Sequence, residues 1–301
     1  LITADESKAL PSQNYETTSA NGVWNLNEQL MLNKQSKWPT VNVEDPAVLV
    51  ENVFSIDLKS DNSYNSVATT VSNGIDLSAN KGMVMVKSRS NNATGGESDG
   101  DFLIYDTVRG GGKAKVINST AVEADRTMGP ATFNSSGFVT GAGPSNAATK
   151  MCYWTFREAP KFFDVVTYTG NGSSSNSYTQ TINHNLGVAP GMIWVMPLSK
   201  VGNYPVYHRG MDATYPERYY NILYSNNPRI ATTEPSGNSG GFPWNWFAPT
   251  ATQFQVKSPD GVGDVNENGV QYVAYLFGHD TSSAGMINCG SYTATSTTEL
   301  F

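Results

Sequence analysis

The feature that most constrains this chain is that it repeats itself. Phe54-Ser55-Ile56-Asp57-Leu58 opens a strand-like run, and Gly82-Met83-Val84-Met85-Val86 follows after turns. A second unit opens on Phe163-Asp164-Val165-Val166-Thr167-Tyr168 and continues to Gly191-Met192-Ile193-Trp194-Val195. Both pairs of landmarks share an offset of 109 positions. Tyr105 with Arg109-Gly110 parallels Tyr207 with Arg209-Gly210, and Phe138 parallels Phe254. The units close on Met151-Cys152-Tyr153-Trp154-Thr155-Phe156 and Tyr272-Val273-Ala274-Tyr275-Leu276-Phe277. The offset drifts between landmarks, as it does when loops gain and lose residues while core strands stay.

The shared positions are apolar, glycine or turn residues. Asn73-Gly74, Asp260-Gly261 and Asn268-Gly269 are hairpin signals. With 28 Gly, 15% charged and 11% aromatic residues, the chain is too poorly charged for a long-helix protein and too aromatic for a disordered one. The expected fold class is all-β: tandem β-sandwich, jelly-roll-like repeats with a short helical N-terminal connector. The expected division is a connector and docking segment over 1–50, a first sandwich over 51–160, a second over 161–282, and the start of a truncated third repeat over 283–301. Such a chain is expected to begin within a longer or processed polypeptide and to continue past Phe301.

In the connector, Asn25 can cap a helix with Glu28 in capping-box spacing, and Pro39 stops it after Trp38. Two readings stay open: a short amphipathic helix packing on its own domain, or an assembly segment built on Trp24, Leu26, Leu30 and Trp38.

A net charge of −7 with only 19 Lys and Arg argues against a nucleic-acid partner. No apolar run reaches the length of a membrane span. Cys152 and Cys289 read as buried free thiols rather than a disulfide framework.

No constellation reads as catalytic or as a metal or cofactor site. His184, His208 and His279 lack the spacing that brings two ligands together. Asp264-Val265-Asn266-Glu267-Asn268-Gly269 imitates half of a calcium loop, but Tyr275 stands where the bidentate Glu belongs. The Asn-Gly pair explains the segment as a turn. Glu97, Asp99 and Asp101 read as a solvated loop, and Gly110-Gly111-Gly112-Lys113 lacks phosphate-loop spacing. The densest aromatic stretch offers a candidate contact surface at Phe242, Trp244, Trp246 and Phe247, with core packing as the competing reading.

The run from Trp154 through Arg157-Glu158-Ala159-Pro160-Lys161-Phe162-Phe163-Asp164 to Gly172 resembles the junction between repeats in tail-fibre-like virion proteins of tailed bacteriophages, of the marine and cyanobacterial type. His184 to Val195, Leu103 to Gly110 and Gly269 to Phe277 are similar to the same repeats, as is Gly22 to Gln29 with Gln35 and Trp38-Pro39 to the segment before them. The resemblance implies a non-enzymatic structural component of the virion: a tail fibre or tail-attached appendage, acting as rigid spacer and adhesin in host attachment. It would be assembled in the bacterial host cytoplasm. The implied partners are other copies of the chain as a homotrimer, other tail or baseplate proteins, and a host cell-surface glycan. In a trimer each unit would bury apolar surface against its symmetry mates. A capsid decoration or head-fibre protein, or a carbohydrate-binding adhesin, is the alternative. A tailspike depolymerase stands last, because no paired carboxylates are found.

Overall fold

A computed structural model describes residues 49–59, 68–89, 101–142, 150–172, 178–232, 242–258, 264–282 and 285–292. The expected connector helix, Trp24, Leu26, Leu30 and Trp38 lie outside these residues. The described residues all belong to one compact unit, 47–301.

The fold is all-β. After a single helical turn α1, Val50–Val53, the first repeat runs through β1 Phe54–Lys59, β2 Thr70–Ser72, β3 Gly82–Ser88, β4 Phe102–Asp106, β5 Lys113–Val116, β6 Ala124–Asp125, β7 Pro130–Asn134, β8 Gly137–Thr140 and β9 Met151–Arg157. The second runs through β10 Phe163–Thr169, β11 Thr179–Asn183, β12 Met192–Pro197, β13 Pro205–His208, β14 Tyr219–Ile222, β15 Ile230–Ala231, β16 Gln253–Lys257 and β17 Gln271–Phe277.

Each repeat builds one six-stranded antiparallel sheet. The orders are β1-β9-β3-β4-β5-β6 and β10-β17-β12-β13-β14-β15, which is the same path taken twice. Smaller sheets, β2-β8-β7 and β11-β16, complete each sandwich. Phe54 pairs Phe156 as Phe163 pairs Phe277, and Val71 pairs Phe138 as Ile182 pairs Phe254. One landmark needs correction. Thr107 N donates to Gly82 O and Arg209 N to Gly191 O, each at the same point of its sheet. The backbone counterpart of Arg209 is therefore Thr107 and not Arg109.

Strand alternation shows how the layers stack. Val84 and Val86 face the core of the first sandwich, while Met83 and Met85 face the other way. In the second repeat, Tyr272, Ala274 and Leu276 line its own core, and Val273, Tyr275 and Phe277 turn out of it. The residues that turn away from both sandwiches meet each other. Met83, Ile104, Phe163, Val165, Met196, Val273, Tyr275 and Phe277 form one central apolar layer. The two large sheets thus pack back to back, giving four layers of strands around three cores. Apolar backs that a trimer was expected to cover are covered within one chain. An exception lies at edge strand β1, where Ile56 and Leu58 are 55% and 59% exposed.

Residues 285–292 form no strand. Met286 and Ile287 pack on the central layer, and Cys289 is buried there with its N–H donating to His279 Nδ1 at 3.0 Å.

Candidate functional site

Two constellations stand out: a buried polar clasp between the repeats, and a half-exposed aromatic cluster on the second.

The clasp begins at Asp106, the last residue of β4. Arg109 closes a turn on it, with backbone N and Nε reaching Asp106 Oδ1 and Oδ2 at 2.8 and 2.5 Å. Its Nη1 lies 3.1 Å from Glu123. From the second repeat, Tyr275 donates to Asp106 Oδ2 at 2.7 Å and accepts from Arg109 Nη2 at 3.0 Å. Burial opposes the Arg109 charge, yet Tyr275 and Asp106 hold its pKa above the ordinary value. Burial drives the Tyr275 phenol well above its usual range. Beside them Lys115 is fully buried on the Tyr204 ring, 4.8 Å from its centroid, and donates to Ala121 O. Burial first, and then Arg109, lower its pKa to about 8. Asp106, Arg109 and Tyr275 bond one another and are buried, while Glu123 keeps a partly exposed side chain, an arrangement suited to a structural lock.

A second tie uses the junction run. Lys81 bonds Glu158 and Asp164 and donates to Val165 O at 3.1 Å. Asp164 also accepts from Val165 N and Asn185 N at 2.8 and 2.7 Å. Lys81 and Glu158 line an open cleft of about 610 Å³ with Asn80, Thr107, Thr132 and Phe133.

The aromatic stretch divides. Trp244 is 1% exposed and sits edge-on to Tyr207 at 6.1 Å, so it is a core residue and is withdrawn from the contact surface. Phe242 packs edge-on to Tyr220 at 5.4 Å. Trp246 and Phe247 are half-buried. Lys257 N donates to Pro243 O as Gly141 N donates to Gly129 O. The 242–247 loop therefore stands where the first repeat enters β7. Asn245 and Trp246 adopt left-handed φ of 54° and 52°, which for residues with side chains costs about 1–3 kcal/mol. Trp246 Nε1 to Thr232 Oγ1 at 2.5 Å and Asn245 Nδ2 to Gln255 Oε1 at 2.9 Å hold them there.

That loop brings Trp246 onto Arg218. The guanidinium lies 4.0 Å from the Trp246 ring centroid and 3.9 Å from that of Tyr215, which is 47% exposed. Sequence reasoning missed Tyr215 and Arg218. They lie 28 or more positions before Trp246, and no spacing rule joins them.

The remaining candidates are spent on structure. Asp264 accepts from Asn203 N and Nδ2 at 3.0 and 2.9 Å, and Asn266 bonds Asn171 and Tyr178. The calcium-like loop thus uses its oxygens as bracing. His184, His208 and His279 each accept a backbone N–H on Nδ1, from Leu186, Gly210 and Cys289. Burial is the leading cause that lowers all three pKa values. Among the described residues, no group of three or more His, Cys, Asp or Glu could hold a metal ion. None of the described helices is long and apolar enough to cross a membrane. Glu97 and Asp99 lie outside the described residues.

No curated protein and no solved structure matches the chain. A family model, "Domain of unknown function (DUF7483)", matches residues 65–300. One family unit therefore runs through nearly all of both sandwiches and the clasp between them, and the chain belongs to this DUF7483 family.

Proposed function

We propose that the chain is a structural component of a tailed-bacteriophage virion: a tail fibre or tail-attached appendage that serves as rigid spacer and adhesin in host attachment. The observation that carries the proposal is the central apolar layer with its buried clasp. It joins two sandwiches into one stiff body whose central polar groups, Asp106, Arg109 and Tyr275, are buried and bonded to one another, as a load-transmitting element requires. The junction residues that resemble phage tail-fibre repeats, Glu158 and Asp164, are the ones that hold Lys81 at that joint. A homotrimer fits the same reading, with Ile56 and Leu58 on the open edge strand as apolar surface for a neighbouring copy.

Antibody raised against the purified chain, applied to intact particles and viewed by electron microscopy, tests it. Label along the tail is expected. Label on the head shell would replace the appendage with a decoration or head-fibre protein. Absence of label from particles carrying the protein in their mass spectrum, confirmed with two epitopes, would overturn surface exposure. Absence of the protein from the particle would overturn a virion role.

A further inference from the structure

We infer that the Arg218 cluster is a binding site for a carboxylate-bearing saccharide; this names a ligand class for the adhesive role proposed above and rests on it. Arg218 ends a single 3-10 turn, Pro216–Arg218, and leads into β14. Its guanidinium lies over both the Tyr215 and the Trp246 rings, 3.9 and 4.0 Å from their centroids. No described residue accepts a hydrogen bond from it, and Nε is buried without a partner. Arg229, just before β15, provides a contrast. It also lies over a ring, Tyr219 at 4.1 Å, but it has a carboxylate, Asp212, at 3.6 Å. Among the described residues no carboxylate pairs with Arg218, in a chain of net charge −7.

A planar guanidinium packed against rings makes its hydrogen bonds through its edge. That edge presents parallel N–H donors, the match for a carboxylate. Reduced solvation of the guanidinium strengthens such a pair relative to one in open water. The surroundings extend the preference beyond a bare anion. Tyr215 is a half-exposed ring, suited to the apolar face of a pyranose. Next to Trp246, the Asn245 amide bonds Gln255, whose Nε2 approaches Thr181 Oγ1 at 3.4 Å. This row of amides and a hydroxyl pairs naturally with sugar hydroxyls. The first repeat enters β7 at the equivalent place. The cluster is thus an addition to the second sandwich and is not required by its scaffold. Left-handed Asn245 and Trp246 set its shape.

The purified full chain is titrated with trigalacturonate and, separately, with neutral maltotriose, following Trp fluorescence and calorimetric heat. Saturable binding of the acidic trimer is expected, weakening as salt is raised, with maltotriose at least about tenfold weaker. Arg218→Gln should lose about tenfold or more in affinity. Arg218→Lys should lose most of that as well, since an ammonium keeps the charge but not the stacked, two-pronged edge. Both variants are compared only if they melt as the parent does; Trp246→Phe, which keeps a ring on Arg218, serves if they do not, and should weaken binding several-fold. Absence of saturable binding, equal binding of the two trimers, or full affinity in Arg218→Gln would each overturn the site. Neutral binding that depends on Trp246 would overturn the acidic ligand and keep the adhesive surface. Particle labelling answers separately for the virion role.

Discussion

At the scale of single residues, the polar groups between the two sheets show how burial and pairing compete. Lys115 carries its ammonium into the interface and finds Ala121 O and the face of Tyr204, but no carboxylate. Its pKa falls from 10.5 to about 8. The sign of its pH effect comes from this fall. Below pH 8 the lysine is charged in both states, and folding bears the whole desolvation cost, about 3 kcal/mol for such a shift. Between pH 8 and 10.5 the folded protein has released this proton while the unfolded chain keeps it, so stability rises with pH. Tyr204 and Tyr275, whose pKa values burial raises, act in the opposite direction above pH 10. Lys115→Met leaves Ala121 O bonded to the Tyr204 hydroxyl at 3.1 Å. The variant should therefore be more stable than the parent by about 1–3 kcal/mol at pH 7. That advantage should shrink from pH 8 upward and be largely gone by pH 11, as measured by denaturant unfolding at unit pH steps. An advantage independent of pH would show that Lys115 does not titrate in this range.

Among elements, the connection from β9 to β10 is the one that joins the two repeats. Phe162 and Phe163 leave the turn into the central layer, and Phe162 stacks on Phe156 at 6.0 Å. Gly278, just after β17, bonds Phe162 O at 2.7 Å. A Cβ there would stand 1.9 Å from Lys161 O, on a residue already at φ 64°. Backbone cannot yield as a side-chain tip can. Gly278→Ala should cost about 2–4 kcal/mol, whereas Gly290→Ala, with open space around it, should stay within about 0.5 kcal/mol. Equal melting temperatures for the two would mean that the connection is loose.

This element also marks the boundary of what could be read from sequence. The path of the strands was legible, since Phe54 with Phe163 and Gly82 with Gly191 keep matched places in the two sheets. What covers the sheet backs was not. A strand buried on both faces reads as an unbroken apolar run, and Tyr272 to Phe277 gives no period to assign a face. The Arg-Gly pairs misled for a related reason: local similarity placed Arg109 opposite Arg209, while backbone bonding places Thr107 there. The aromatic stretch was legible as a special place. Which tryptophan points inward depends on two left-handed residues, and Arg218 arrives from a distant 3-10 turn, so neither has a local signature.

For the whole molecule, the question is whether two repeats make two folding units or one. Tandem sandwiches on a flexible string would unfold separately, each retaining its own core. Here each large sheet has two apolar faces, and separating the repeats would bare Met83, Ile104, Val273 and Phe277 to water. Each such side chain contributes about 1.5–3 kcal/mol when buried. The Asp106 carboxylate and Arg109 guanidinium would also lose the Tyr275 hydroxyl that bridges them. Neither half can then persist for long after the other has opened. Scanning calorimetry of residues 47–301 should show one transition with calorimetric and van't Hoff enthalpies in agreement. Tyr275→Phe should lower that transition without splitting it, by about 1.5–3 kcal/mol for lost bonds to charged groups. The first sandwich expressed alone should bind a hydrophobic dye through its uncovered back. Two resolved transitions, or a first sandwich that melts cooperatively without binding dye, would make the central layer a weak contact and would remove the stiffness on which the spacer role depends.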